Sequence, residues 1–210
     1  MLEKQEISLK NLNEKQKEQI RLGLEQGVDI SLYAKPEFDW RQMVVIRLGL
    51  ELGLDVSIYA KPEFNAYQMR EIRIGLVESL EIKWYARPEL DEYQMKQIRK
   101  GLKEDINVSL YAKLEFSADQ MEEIRWGLEK DLDIFIYAKP EFNWEQMSEI
   151  RAGLEEGLNV SIYANPEFTA DQMEQLFLGL RNGIDVNLYL NPNINDEEMK
   201  QIRLELESKK

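Results

Sequence analysis

The 210-residue sequence contains no cysteine and no histidine. Without cysteine there is no disulfide framework and no thiolate metal site. Without histidine the usual general base is gone, with the Ser-His and Cys-His nucleophile pairs and every imidazole ligand. Basic charge is scarce: 27 Lys and Arg stand against 40 Asp and Glu, a net charge of −13. Such a chain repels nucleic acid and anionic membranes, so neither is expected as a direct ligand. No apolar run approaches the roughly 20 residues that span a bilayer. The first residues, MLEKQEISLKNLNEK, are charged and lack the apolar core of a signal peptide. A soluble, cytoplasmic protein is the expectation.

What is present is one phrase written repeatedly. GVDISLYAKPEF begins at residue 27, GLDVSIYAKPEF at 53 and GLNVSIYANPEF at 157. Tyr33, Tyr59, Tyr85, Tyr111, Tyr137, Tyr163 and Tyr189 follow one another at intervals of 26. Phe38, Phe64, Leu90, Phe116, Phe142, Phe168 and Ile194 form a second column, and Met43, Met69, Met95, Met121, Met147, Met173 and Met199 a third. Between the last two lies a helix start. Asn13, Asp39, Asn65, Asp91, Ser117, Asn143, Thr169 and Asn195 are all preferred N-cap residues. Three residues later stand seven glutamines, Gln16 to Gln172, and then Glu198, which completes a capping box in each unit. The Phe and Met columns flank the cap as a hydrophobic staple, which Lys17 breaks in the first unit.

Each cap predicts a helix of about 14 residues with an apolar stripe such as Met43, Ile46 and Leu50. Gly27, Gly53, Gly157 and Gly183 suit a left-handed C-terminal residue; Ser79, Asp105 and Asp131 stand there in other units and call for another closure. A second glycine column, Gly23 to Gly179, lies inside the helices. Glycine costs about 1 kcal/mol of helix propensity there, so a backbone is expected to pass close by. The last unit has Glu205 in this place, as expected if nothing packs beyond it.

The second half of the unit, LDVSIYAKP, reads as a short helix capped by Asp55 and its counterparts, or as a strand. The first reading makes an all-α solenoid of about eight 26-residue units, each a long capped helix plus a short one. The second makes a βα horseshoe. Residues 1–12 read as an N-terminal capping segment, 13–207 as one repeat domain and 208–210 as a tail. In architecture the unit resembles leucine-rich-variant and HEAT-like α-solenoids. The phrase IRLGLEQGVDISLYAKPEF (residues 20–38) resembles tandem repeats of bacterial mobile-element proteins. That resemblance implies a mobile-element or phage context and no catalytic residues.

Columns that stay constant build the fold, and columns that vary are free to read a partner. The second, fifth, ninth and twelfth positions after the cap share one helix face and vary strongly. They hold Tyr67, Arg70 and Ile74, then Tyr93, Lys96, Lys100 and Lys103, then Trp126. Two readings are open: a solvated face, or a binding surface for an acidic, partly apolar protein. Tyr, Trp and Arg are interface hot-spot residues. Trp40, beside a cap, and Trp84, in a short segment, join the candidate set or merely pack. The Arg column (Arg21, Arg47, Arg73, Arg99, Arg125, Arg151 and Arg203) reads as a ladder between units, with the row Glu37 to Glu167 as a possible acidic side; Phe177 interrupts it. The same glutamate row is also able to imitate a phosphate strand.

Carboxylates recur in every unit, and no phosphate loop, calcium loop or metal cluster stands out. A non-enzymatic protein-protein interaction module without cofactor is the expectation. Two alternatives stay open: an anti-defence inhibitor (anti-CRISPR or anti-restriction) of a nuclease, or a structural or designed scaffold that self-associates through its end units.

Overall fold

Every cap residue starts a helix in the computed structural model, which describes residues 11–209. The helices are α1 (Glu14–Glu25), α2 (Trp40–Glu51), α3 (Ala66–Val77), α4 (Glu92–Lys103), α5 (Ala118–Glu129), α6 (Trp144–Glu155), α7 (Ala170–Arg181) and α8 (Asp196–Ser208). The full capping box forms on α1 to α7. On α8 the Asn195 side chain caps the Glu198 N–H. The short segments are single 3₁₀ turns, from Ile30–Leu32 to Val186–Leu188, and no strand occurs among the described residues. Asp55 caps its turn by accepting from the Ser57 N–H at 3.1 Å. The fold is thus an α-solenoid of 26-residue units, and the βα horseshoe is excluded.

The chain forms two compact units, residues 1–105 and 106–210. In the first, α1 packs on α2, α2 on α3 and α3 on α4; in the second, α5 to α8 pack in the same succession. The first ten residues of the expected capping segment lie outside the described residues. No described helix is long and apolar enough to cross a membrane.

The core is made of the constant columns. Seven tyrosines, seven methionines and the Phe-type column from Phe38 to Phe168 are buried, with Ile20, Ile46, Ile72, Ile98, Ile124, Ile150 and Leu176. Leu50 is only half-buried, and Gly49 faces the interior beside Ile46. After each 3₁₀ turn the Phe-column N–H bonds back three residues, as from Phe38 to the Lys35 carbonyl at 3.2 Å. Pro36 occupies the second position of that β-turn, where its fixed φ fits.

The inner glycines correct the expectation of a passing backbone. A Cβ built on Gly75 would lie 1.7 Å from the Tyr85 hydroxyl, and one on Gly127 1.9 Å from that of Tyr137. The buried Tyr33, Tyr59, Tyr85, Tyr137, Tyr163 and Tyr189 need this space to donate to a helix carbonyl, as Tyr137 does to Glu123 at 3.1 Å. The helix ends need a second correction. Ser79 (φ 56°), Asp105 (58°) and Asp131 (54°) adopt the left-handed conformation themselves, like Gly27 (70°). The closing bond is also the same: the Leu80 N–H reaches the Gly75 carbonyl at 2.9 Å, as the Val28 N–H reaches Gly23 at 3.0 Å.

The capping glutamines have a second task that the sequence does not advertise. Gln16, Gln42, Gln68, Gln120, Gln146 and Gln172 each accept from the cap residue with Oε1 and donate with Nε2 to the next repeat. Gln68 reaches the carbonyls of Leu90 (2.6 Å) and Pro88 (3.0 Å); Gln146 reaches those of Phe168 (2.6 Å) and Pro166 (3.1 Å). These bonds satisfy turn carbonyls that no helix or strand could serve.

Candidate interaction surface

On α2, α4, α6 and α8 the Arg column forms a ladder, with its partner on the preceding helix. Arg99 Nε bonds Glu71 at 2.8 Å and Arg151 Nε bonds Glu123 at 2.7 Å. Arg47 and Arg203 reach Gln19 and Gln175 in the same way, at 3.2 and 3.3 Å. The partner column is therefore the sixth position after the cap, not the exposed glutamate row from Glu37 to Glu167.

The ladder fails at two places in that register. Val45 stands where Arg73 would find an acceptor, and Arg73 Nε is buried without a hydrogen-bond partner. Phe177 stands where an arginine would meet Glu149. Glu149 is consequently half-buried with no arginine from α7, and its pKa is pushed up to about 7. Burial is the main cause, and Glu174 and Asp171 on α7 and Glu123 on α5 add repulsion that Arg151 only partly offsets.

A pH dependence follows. The folded pKa lies above the ordinary 4.5, so the folded state holds its proton longer than the unfolded chain. The contribution of Glu149 to stability is therefore full below about pH 4.5 and is lost as pH rises to about 7. Glu149→Gln is expected to remove this loss, on the order of 1–2 kcal/mol after solvent screening. Carbon NMR of the carboxyl checks it; a midpoint near 4.5 would contradict the assignment.

The variable face of the first unit carries a strip of aromatic and basic side chains. Tyr67 is 57% and Tyr93 63% exposed, unlike the buried tyrosines of the core. Tyr67, Arg70, Glu71, Glu92, Tyr93 and Lys96 line a groove of about 360 Å³ between α3 and α4. A second groove of about 210 Å³ continues it between α2 and α3, past Trp40, Arg41, Val44 and Val45. Trp40 is held between Lys15 (5.0 Å to the ring centre) and Arg41 (4.9 Å).

The other residues expected on the surface divide. Ile74 is half-buried on the same face of α3. Lys103 bonds Glu78 at 2.5 Å across to α3, and Lys100 is half-buried beside it. Trp84 bonds Glu81 at 3.2 Å within its turn and lines neither groove. Trp126 belongs to the second unit. It is half-buried between the guanidinium groups of Arg125 (5.8 Å) and Arg151 (5.3 Å), where it supports the ladder.

Sequence reasoning missed a groove of about 560 Å³ between α6 and α7. Its wall is acidic, with Glu145, Glu149, Glu167, Asp171 and Glu174, and it includes Trp144, which is 45% exposed. The available signal was Phe177: an interrupted arginine column leaves its partner in the preceding helix without a counter-charge. Among the described residues no group of three or more acidic side chains is placed to hold a metal ion. Comparison of the chain with models of known protein families, with curated proteins and with solved structures finds no match.

Proposed function

We propose that the chain is a non-enzymatic protein-binding module whose contact surface is the aromatic and basic face of α2 to α4. The observation that supports this is the exposure of Tyr67 and Tyr93 beside Arg41, Arg70 and Lys96, with grooves between successive helices. Rigid aromatic rings with a cationic neighbour supply contact area at low entropic cost. The partner surface is accordingly acidic and partly apolar. The test is capture of partners from host lysate with the wild type and with Tyr67→Ala, Arg70→Ala, Tyr93→Ala combined. Trp126 is left intact because its ring is packed between arginines. Loss of a bound protein in the triple variant supports the reading; full retention contradicts it.

A second reading is a mobile-element or phage inhibitor that occupies the nucleic-acid groove of a nuclease. Its support is the charge of residues 106–210, with 10 basic against 21 acidic side chains, and the exposed Glu115, Glu141 and Glu167. A mimic of this kind releases its enzyme steeply as salt rises, whereas binding through Tyr67 and Tyr93 keeps a salt-resistant part.

A further inference from the structure

We propose that the face of α2 to α4 binds the face of α5 to α7 of a second copy of the chain. This rests on the reading of the first face as a contact surface, and it names the occupant. The argument is charge complementarity on a common spacing. Residues 1–105 hold 17 basic and 19 acidic side chains, close to balance, while residues 106–210 hold 10 and 21. At the second and fifth positions after the cap, α2 to α4 present Arg41 and Val44, Tyr67 and Arg70, and Tyr93 and Lys96, one cation per helix. The same positions of α5 to α7 present Asp119 and Glu122, Glu145 and Ser148, and Asp171 and Glu174, at least one carboxylate per helix.

Both faces are built from the same 26-residue unit without insertion. Adjacent helices within each unit therefore follow one spacing, about 8–10 Å for packed helices. Three cationic rows on one copy consequently meet three anionic rows on another in register. The apolar parts match as well. Tyr67 and Tyr93 stand out from the basic face, and Trp144 lines the groove of the acidic one. The interrupted ladder gives the acidic groove a vacancy for a cation, since Phe177 leaves Glu149 without the arginine that Glu71 and Glu123 receive. Arg70 or Lys96 of the second copy supplies it. A face of like charge repels itself, so the pairing selects unlike faces.

The test is sedimentation of the full chain in about 50 mM and about 500 mM salt. The wild type is expected to sediment above the 24.8 kDa of one copy at low salt, and to weaken by roughly tenfold or more in affinity at high salt. Two charge-reversed variants are then compared: Arg41→Glu, Arg70→Glu, Lys96→Glu on the basic face, and Glu145→Lys, Asp171→Lys, Glu174→Lys on the acidic one. All six side chains are exposed, and circular dichroism confirms that each variant is folded. Each variant alone is expected to be a single copy, and the two mixed to reassociate, because every face then meets its opposite again. Single copies of wild type at low salt overturn the proposal, as does association that survives both variants or fails to return on mixing. If wild type is a single copy and still captures a host protein through Tyr67, Arg70 and Tyr93, this inference falls while the proposed function stands.

Discussion

Gly75→Ala is expected to destabilise the first unit by about 2–3 kcal/mol, although alanine is the better helix former by about 1 kcal/mol. The added methyl carbon would sit 1.7 Å from the Tyr85 hydroxyl and 3.0 Å from the ring carbon that bears it. That ring is fully buried, so it has no solvent-side rotamer to retreat to. Its hydroxyl also points at the Glu71 carbonyl, at 3.4 Å, and any shift gives up that contact. Burial raises the Tyr85 pKa above the ordinary phenol value, so the hydroxyl is neutral and a donor at neutral pH.

The cause is separable by a second substitution. Tyr85→Phe alone removes one weak hydrogen bond and is expected to cost about 0.5–1.5 kcal/mol. In the double variant the nearest atoms to the new methyl are the ring carbon at 3.0 Å and Ile82 Cγ2 at 3.1 Å, contacts that small shifts relieve. The double variant should therefore be more stable than Gly75→Ala alone, with a coupling of about 1–2 kcal/mol in the cycle. Urea unfolding followed by circular dichroism, with amide exchange to localise the loss to α3 and its neighbours, provides the measurement. Strictly additive costs would show that the glycine serves something other than the tyrosine.

These two residues mark where a sequence stops being readable. Caps and helices were legible because capping is local chemistry: Asn65 and Gln68 lie three residues apart and complete each other. The seven-fold glycine column announced a steric demand, yet not its source, since Gly75 and Tyr85 meet only after the chain has turned. Ser79, Asp105 and Asp131 misled in the other direction. A left-handed residue costs a non-glycine roughly 1–2 kcal/mol, and at Ser79 and Asp131 the same closing hydrogen bond as in the glycine-ended repeats, from Leu80 to Gly75 and from Leu132 to Gly127, offsets it. On the candidate surface, helical periodicity sufficed to expose Tyr67 and Tyr93. It did not suffice for Trp126, because the covering Arg151 comes from the next helix. The acidic groove was hidden for a different reason: it is created by what Phe177 fails to supply.

Gln146→Glu is the second change expected to have a large effect, about 3 kcal/mol at neutral pH. By capping rules alone it should be harmless, because Glu and Gln serve equally at this position of a capping box. The new carboxylate still accepts from the Asn143 N–H, now 2.8 Å from Gln146 Oε1. It has no N–H for the carbonyls of Phe168 and Pro166, which lie 2.6 and 3.1 Å from Gln146 Nε2. Two carbonyl dipoles would face a buried negative charge in a site that is 5% exposed. Protonation restores one donor, so the variant's folded carboxyl takes a raised pKa and its stability deficit grows as pH rises. The eighth unit supplies an internal control. Glu198 occupies the same column, is exposed, and makes no such bond among the described residues. Glu198→Gln should therefore change stability by no more than about 0.5 kcal/mol. Thermal and urea unfolding of the two variants at about pH 5 and about pH 8 decide the matter. A harmless Gln146→Glu at both pH values would mean that the glutamine column caps helices and does not join one unit to the next.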